Sequence, residues 1–186
     1  MEVSKYHNHI FKIVSAGLLI AIGMIIPLFS PLQFVVEPAS YTLGVHIPIF
    51  IAMFISPKVA FAVAVGTTLG FLFRGLPITI VIRAASHILY ATAGSMYLAR
   101  IDKIAFKGFK LRVFSFIIAI VHAVAETVAI LVFYIATGFP ANQGALWVFG
   151  FIGLGTVIHS MVDFELANVI RRALQMQPHF RQMIKS

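Results

Sequence analysis

Three pairs of polar residues stand inside otherwise apolar stretches of this 186-residue chain: Arg83 and His87 in RAASH, His122 and Glu126 in HAVAE, and His159 and Asp163 in HSMVD. Each pair is spaced i,i+4, so on a helix both side chains share one face, offset by about 40°. These residue types suit ligand binding. A guanidinium holds an anion, imidazoles donate, accept or bind metal, and carboxylates orient or neutralise them. The sequence contains no cysteine, which excludes thiolate catalysis, thiolate metal sites and disulfides. It has no G-x-x-x-x-G-K-[ST] loop, so the chain does not hydrolyse ATP by itself. Neither H-E-x-x-H nor G-x-S-x-G is present to support an intramembrane hydrolase. A binding protein is expected, not an enzyme.

The elements that carry these pairs must be hydrophobic. Hydrophobic residues make up 60% of the chain and charged ones 11%, with a mean hydropathy of +0.98. A soluble domain is about one quarter charged, so the composition reads as a polytopic membrane protein. The fold class expected is an all-α membrane protein, one integral membrane domain over residues 1–186. Six transmembrane helices are expected at about 10–29, 43–56, 58–73, 77–99, 111–137 and 145–170. Pro48 lies inside the second segment and makes it short or broken. The first apolar run is too long for a signal peptide and lacks a small-residue cleavage site.

An even number of crossings puts both termini on one side. Every lysine and arginine other than Arg74 and Arg83 then falls on that side, which the positive-inside rule makes cytoplasmic. The net charge of +8 is therefore a topology signal for a multi-pass protein of the cell membrane, and no nucleic-acid partner is expected. Loops 30–42, 74–76 and 138–144 face outward, and Trp147 opens the sixth segment at the outer interface. The inner loop RIDKIAFKGFKLR (100–112) reads as a solvated basic loop, or as a surface segment touching anionic lipid.

Charged side chains at membrane depth cost several kcal/mol unless they face a partner or a wet cavity. Three helices bearing such pairs point to one interior site, which His46 of the second segment could join. Arg83 sits about six residues in from the outer end of its helix, roughly 9 Å deep. His87 and Glu126 lie somewhat deeper, His122 and His159 near mid-membrane, and Asp163 toward the cytoplasm. A structural account stands beside the functional one. Arg83 and Glu126 could simply pair and tie two helices together, and His122 and His159 could be satisfied by their own i+4 carboxylates. The set H-x-x-x-E and H-x-x-x-D also suits zinc, nickel or cobalt, but a fixed cation at Arg83 opposes a metal ion. No cofactor or metal is assigned.

Small residues recur every fourth position at Gly17 and Ala21, and at Ala62, Gly66 and Gly70. Such stripes let helices approach closely, within this bundle or against another subunit.

The six short segments, the small-residue stripes and the run HIPIFIAMFISPKVAFAVAVGTTLGF (46–71) resemble the substrate-binding S components of energy-coupling factor vitamin transporters. The resemblance extends over about residues 10–170. The run GFLFRGLPITIVIRAASHILYATAGSMYL (70–98) is most similar to the niacin-type members. The resemblance implies a vitamin held in an outward-facing cavity of the later helices, capped by outer loops. It also implies a transmembrane T component and two cytoplasmic ATPases as partners. Family members dock on the T component through A-x-x-x-A in helix one. Here that place holds Gly17-x-x-x-Ala21, and Ala62, Gly66 and Gly70 would extend the interface.

For niacin, Arg83 would take the carboxylate and an imidazole would donate to the pyridine nitrogen. The candidate substrate residues are Arg83, His87, Glu126, His122, His159, His46, Tyr90, Asn142 and Trp147, with Tyr90 or Trp147 covering the ring. Pantothenate, a queuosine precursor or a transition metal are the alternative cargoes. A proton-coupled secondary transporter using His122, Glu126, His159 and Asp163 as a relay is the alternative mechanism.

Overall fold

The computed structural model describes residues 2–36, 39–141 and 144–185. Helix α1 (Glu2–Phe29) leads into an antiparallel hairpin, β1 (Gln33–Val36) and β2 (Ala39–Thr42), in which Phe34 pairs with Tyr41 and Gln33 with Thr42. Then follow α2 (Ile47–Ile55), α3 (Pro57–Phe73), α4 (Ile78–Leu98) and α5 (Phe109–Thr137). The last long helix is composite. A short α6 (Ala145–Trp147) passes through a π-helical segment (Val148–Leu154) into α7 (Gly155–Leu174), and α8 (Pro178–Lys185) closes the chain.

Among the described residues, three helical stretches are long and apolar enough to cross a membrane: Tyr6–Phe29, Phe109–Thr137 and Ala145–Leu174. Pro57–Phe73 is a shorter apolar helix. Their outward faces carry large exposed apolar side chains. Examples are Val14 and Leu18 on α1, Val124 and Val128 on α5, and Ile158 and Val169 on α7. Contiguous apolar faces of this extent suit lipid and not water. Among the described residues the regular structure is helical apart from the β1–β2 hairpin, the architecture of an all-α membrane protein.

Segment two narrows from the expected 43–56 to α2, nine residues or about 14 Å, well short of a ~30 Å hydrocarbon core. Pro48 does not break it. It sits in the first turn, where a missing N–H costs no hydrogen bond, so it starts the helix. Ser56, in extended conformation, separates α2 from α3, and its hydroxyl accepts from the Val59 N–H at 3.3 Å as the N-cap of α3. Pro48–Ile55 are all buried, and α2 packs against α1, α3, α4, α7 and α8. A helix apolar on every side belongs in a core. Phe50 meets Tyr90 and Phe164, and Phe54 also meets Phe164, forming the aromatic centre of that core.

Small residues decide how closely α3 approaches α1. A Cβ on Gly66 would come within 2.7–2.8 Å of three Ile20 side-chain atoms, and one on Gly70 would strike Met24. These two glycines therefore admit α1 side chains. Gly66 and Gly70 thus make an internal contact with α1, the bundle packing weighed from sequence beside docking to another subunit. Ala62 is half-buried near the other end of α3. Gly17 and Ala21 are exposed, and a Cβ on Gly17 would meet nothing within 4 Å.

The expected outer loop 30–42 contains the hairpin, which periodicity over so few residues did not announce. Its Tyr41 hydroxyl donates to the Phe151 carbonyl of the π-helical segment. Tyr41 also lies directly over Gly155, where any Cβ would collide with its ring and hydroxyl. A glycine at 155 thus lets the hairpin close onto the last long helix.

Candidate functional site

Glu126 lies on α5 and is 2% exposed, a position a carboxylate occupies only when its oxygens are satisfied. Its two oxygens face different groups. Oε2 accepts from Arg83 Nη2 of α4 at 2.8 Å and from the Thr156 hydroxyl of α7 at 2.6 Å. Oε1 meets His87 Nε2 at 2.9 Å, and His122 Nε2 stands 3.3 Å away. The ion pair weighed from sequence is formed, and it joins α4, α5 and α7 at one carboxylate.

Asp163 is the second centre and is fully buried. Its Oδ1 accepts from the Gly44 N–H at 2.7 Å and Oδ2 from the His46 N–H at 3.1 Å. Oδ2 also meets His46 Nδ1 at 3.0 Å, with His159 Nε2 at 3.4 Å. This places a carboxylate at the N-terminus of α2, where unpaired amides and the helix dipole favour negative charge.

His46 links the two centres. Its ring centroid is 4.8 Å from that of His87, 4.7 Å from His122 and 5.0 Å from His159. His122 is anchored from behind, with Nδ1 at 3.2 Å from the Ser160 hydroxyl and Tyr90 packed 4.3 Å from its ring. Four imidazoles, two carboxylates and a guanidinium therefore form one polar cluster at the start of α2. His46, His87, His122 and Glu126 each offer a donor atom within 4.8 Å of the others, a spacing open to a metal ion.

A cavity of about 130 Å³ opens onto this cluster. Arg83, His46, His87 and Glu126 form its polar wall, and Phe71, Leu76 and Ile80 its apolar wall. Gln33, Ser40 and Thr42 line it from the hairpin. Tyr41 sits above, its ring centroid 5.5 Å from the Arg83 guanidinium carbon. Pockets for drug-sized ligands run to ~300–1,000 Å³, so this one suits a small solute.

The other candidates lie further back. His122 and Tyr90 form a second layer behind His87 and His46, and His159 lies between Asp163 and Tyr41; none of the three lines the cavity. Trp147, expected from sequence as a ring that could cover the ligand, does not line this cavity. It is 39% exposed and stacks on Phe151 at 4.7 Å, outside the cavity wall. Asn142 lies outside the described residues. Sequence reasoning missed Thr156, Ser160, Gln33 and Tyr41. Thr156, Ser160 and Asp163 follow i, i+4, i+7 spacing, so extending the polar stripe backward along the last helix finds the first two. Nothing local marks the hairpin residues.

Among proteins of known function, the chain is 40% identical over 169 residues to the niacin transporter NiaX of Lactococcus lactis subsp. cremoris (strain MG1363). The match takes in 87% of this chain and 75% of that protein. No family model matches the chain, and no solved structure matches it.

Proposed function

Because this chain belongs to the family of the niacin transporter NiaX, we propose that it binds nicotinic acid as the substrate-binding S component of an energy-coupling factor importer. The observation that carries the reading is the cavity beside Arg83: a small pocket with one apolar wall and, opposite it, a buried guanidinium flanked by imidazoles. Nicotinate matches that chemistry. Its flat ring lies against Phe71, Leu76 and Ile80, its carboxylate meets Arg83, and His87 or His46 donates to the pyridine nitrogen. A guanidinium carries five N–H donors, so pairing with Glu126 through Nη2 is compatible with holding a second carboxylate. Glu126 raises the cost of admitting an anion, and Arg83 offsets it. The hairpin, with Tyr41 over the guanidinium, closes the outer mouth.

In this reading the chain crosses the cell membrane six times with both termini in the cytoplasm, α2 and its flanking turns serving as one short crossing. The open Gly17–Ala21 face of α1 receives the transmembrane T component. Two cytoplasmic ATPases then supply the energy for release inside. The chain itself makes and breaks no covalent bond.

Calorimetric titration of the purified full-length chain in detergent tests the cargo. Nicotinate is expected to bind one-to-one and at least tenfold more tightly than nicotinamide, which lacks the charge for Arg83, or pantothenate, which is too long for the pocket. Equal affinity for nicotinate and nicotinamide, or tighter pantothenate binding, would overturn the assignment.

A further inference from the structure

We propose that His46, His87, His122 and Glu126 form a binding site for a divalent transition metal, with Zn²⁺ as the ion best matched to it. The four side chains come from three different places in the fold, the start of α2, α4 and α5, yet their donor atoms fall within 4.8 Å of one another. His87 Nε2 and His122 Nε2 lie 2.9 and 3.3 Å from Glu126 Oε1. A tetrahedral zinc with bonds of about 2.1 Å has donor–donor edges of roughly 3.4 Å, so both imidazole nitrogens already stand near coordination spacing from the carboxylate oxygen.

The groups behind the donors matter as much as the donors. Imidazoles that bind metal hydrogen-bond through their other nitrogen, which fixes the tautomer and aims the free lone pair. His46 Nδ1 is held by Asp163 and His122 Nδ1 by Ser160, which turns the Nε2 of each ring toward the interior of the cluster. His122 Nε2 is fully buried, and its one neighbour in the cluster at ion-pair distance is Glu126 Oε1 at 3.3 Å, a long contact that leaves it placed to serve as a ligand.

Arg83 was the objection to a metal, and the division of labour at Glu126 answers it. The guanidinium and Thr156 occupy Oε2, leaving Oε1 to the imidazoles. Arg83 thereby acts on the ligand oxygen's partner as an orienting group. One guanidinium stands against two carboxylates, Glu126 and Asp163, so with neutral imidazoles the cluster is net negative and favours a cation. The cavity reaches His46, His87 and Glu126, which gives an entry path. A set of three imidazole nitrogens and one carboxylate oxygen selects zinc over magnesium or calcium.

The test uses the full-length protein carrying a non-histidine affinity tag, stripped with EDTA and titrated with ZnCl₂ in the absence of any vitamin. One submicromolar site is expected. Co²⁺ in its place should give the intense visible bands of tetrahedral coordination. His122→Ala should weaken zinc by at least ~100-fold, and Asp163→Asn, which alters the support of the His46 ring together with the Gly44 and His46 amide contacts, by ~10–100-fold in a protein that keeps its gel-filtration peak. His122→Gln serves where the alanine variant loses its gel-filtration peak. The double variant His7→Ala/His9→Ala removes the exposed N-terminal histidines and should bind as the parent does. No saturable zinc binding, octahedral cobalt spectra, binding lost with His7 and His9, or binding unchanged in the His122 variants would each overturn the proposal. Zinc would take the same imidazoles that meet the pyridine nitrogen, so the vitamin reading is tested apart from it, by nicotinate titration in EDTA.

Discussion

Replacing Arg83 should separate charge recognition from fold in a graded way. Arg83 is 5% exposed and its Nη2 lies 2.8 Å from Glu126, so the group that would meet the nicotinate carboxylate is already desolvated and oriented. Truncating one partner of a buried, hydrogen-bonded charge pair costs about 2–5 kcal/mol, because the surviving charge is left uncompensated. With ~1.4 kcal/mol per decade, Arg83→Ala should weaken nicotinate by roughly 30-fold to several thousandfold. Arg83→Lys keeps the charge but replaces a planar fork with a point donor. Losing one charged hydrogen bond, about 1.5–3 kcal/mol, predicts a 10- to 150-fold weakening.

Nicotinamide is the internal control, because it carries no carboxylate and its affinity should move less than threefold in Arg83→Lys. Isothermal titration in detergent reads all three. The alanine variant also strands Glu126 among His87, His122 and Thr156, so its thermal stability should be measured alongside. A folded Arg83→Lys protein that binds nicotinate within twofold of the parent would refute the argument that Arg83 receives the carboxylate.

Four further outcomes follow from the same geometry. Gly66→Ala should destabilise the bundle by about 1–3 kcal/mol through its clash with Ile20, and Ile20→Ala in the same chain should recover part of the loss, as read by thermal unfolding in detergent. Gly17→Trp should leave stability and nicotinate binding unchanged, since nothing lies within 4 Å of that position, while vitamin uptake in cells with the whole importer is lost. Tyr41→Phe deletes the hydroxyl that ties the hairpin to Phe151, worth about 0.5–1.5 kcal/mol, and stopped-flow measurements should show nicotinate leaving up to ~10-fold faster. Asp163→Ala leaves the Gly44 and His46 amides without their acceptor and should lower stability by at least ~2 kcal/mol, with a matching fall in melting temperature.

The amino-acid sequence by itself determined the class of the protein and the chemistry of its interior. Composition decides for the membrane because a chain this apolar has no other stable solvent, and i,i+4 spacing decides which polar residues share a helix face. Arg83 with His87, and His122 with Glu126, were legible for that reason: helical geometry relates them locally. Long-range placement was not legible. That Pro48 starts a buried nine-residue helix depends on α1, α3, α4, α7 and α8 surrounding it. Whether Gly66 faces a partner or Ile20 depends on how α1 lies against α3, since a small residue permits both. Only tertiary structure could bring His46 between two carboxylates on separate helices, or set Tyr41 of a surface hairpin over Arg83. Those contacts join residues 41 or more positions apart, and no local periodicity records them. Packing of a closed core decides them, because each buried charge is stable only where the whole set of its partners converges.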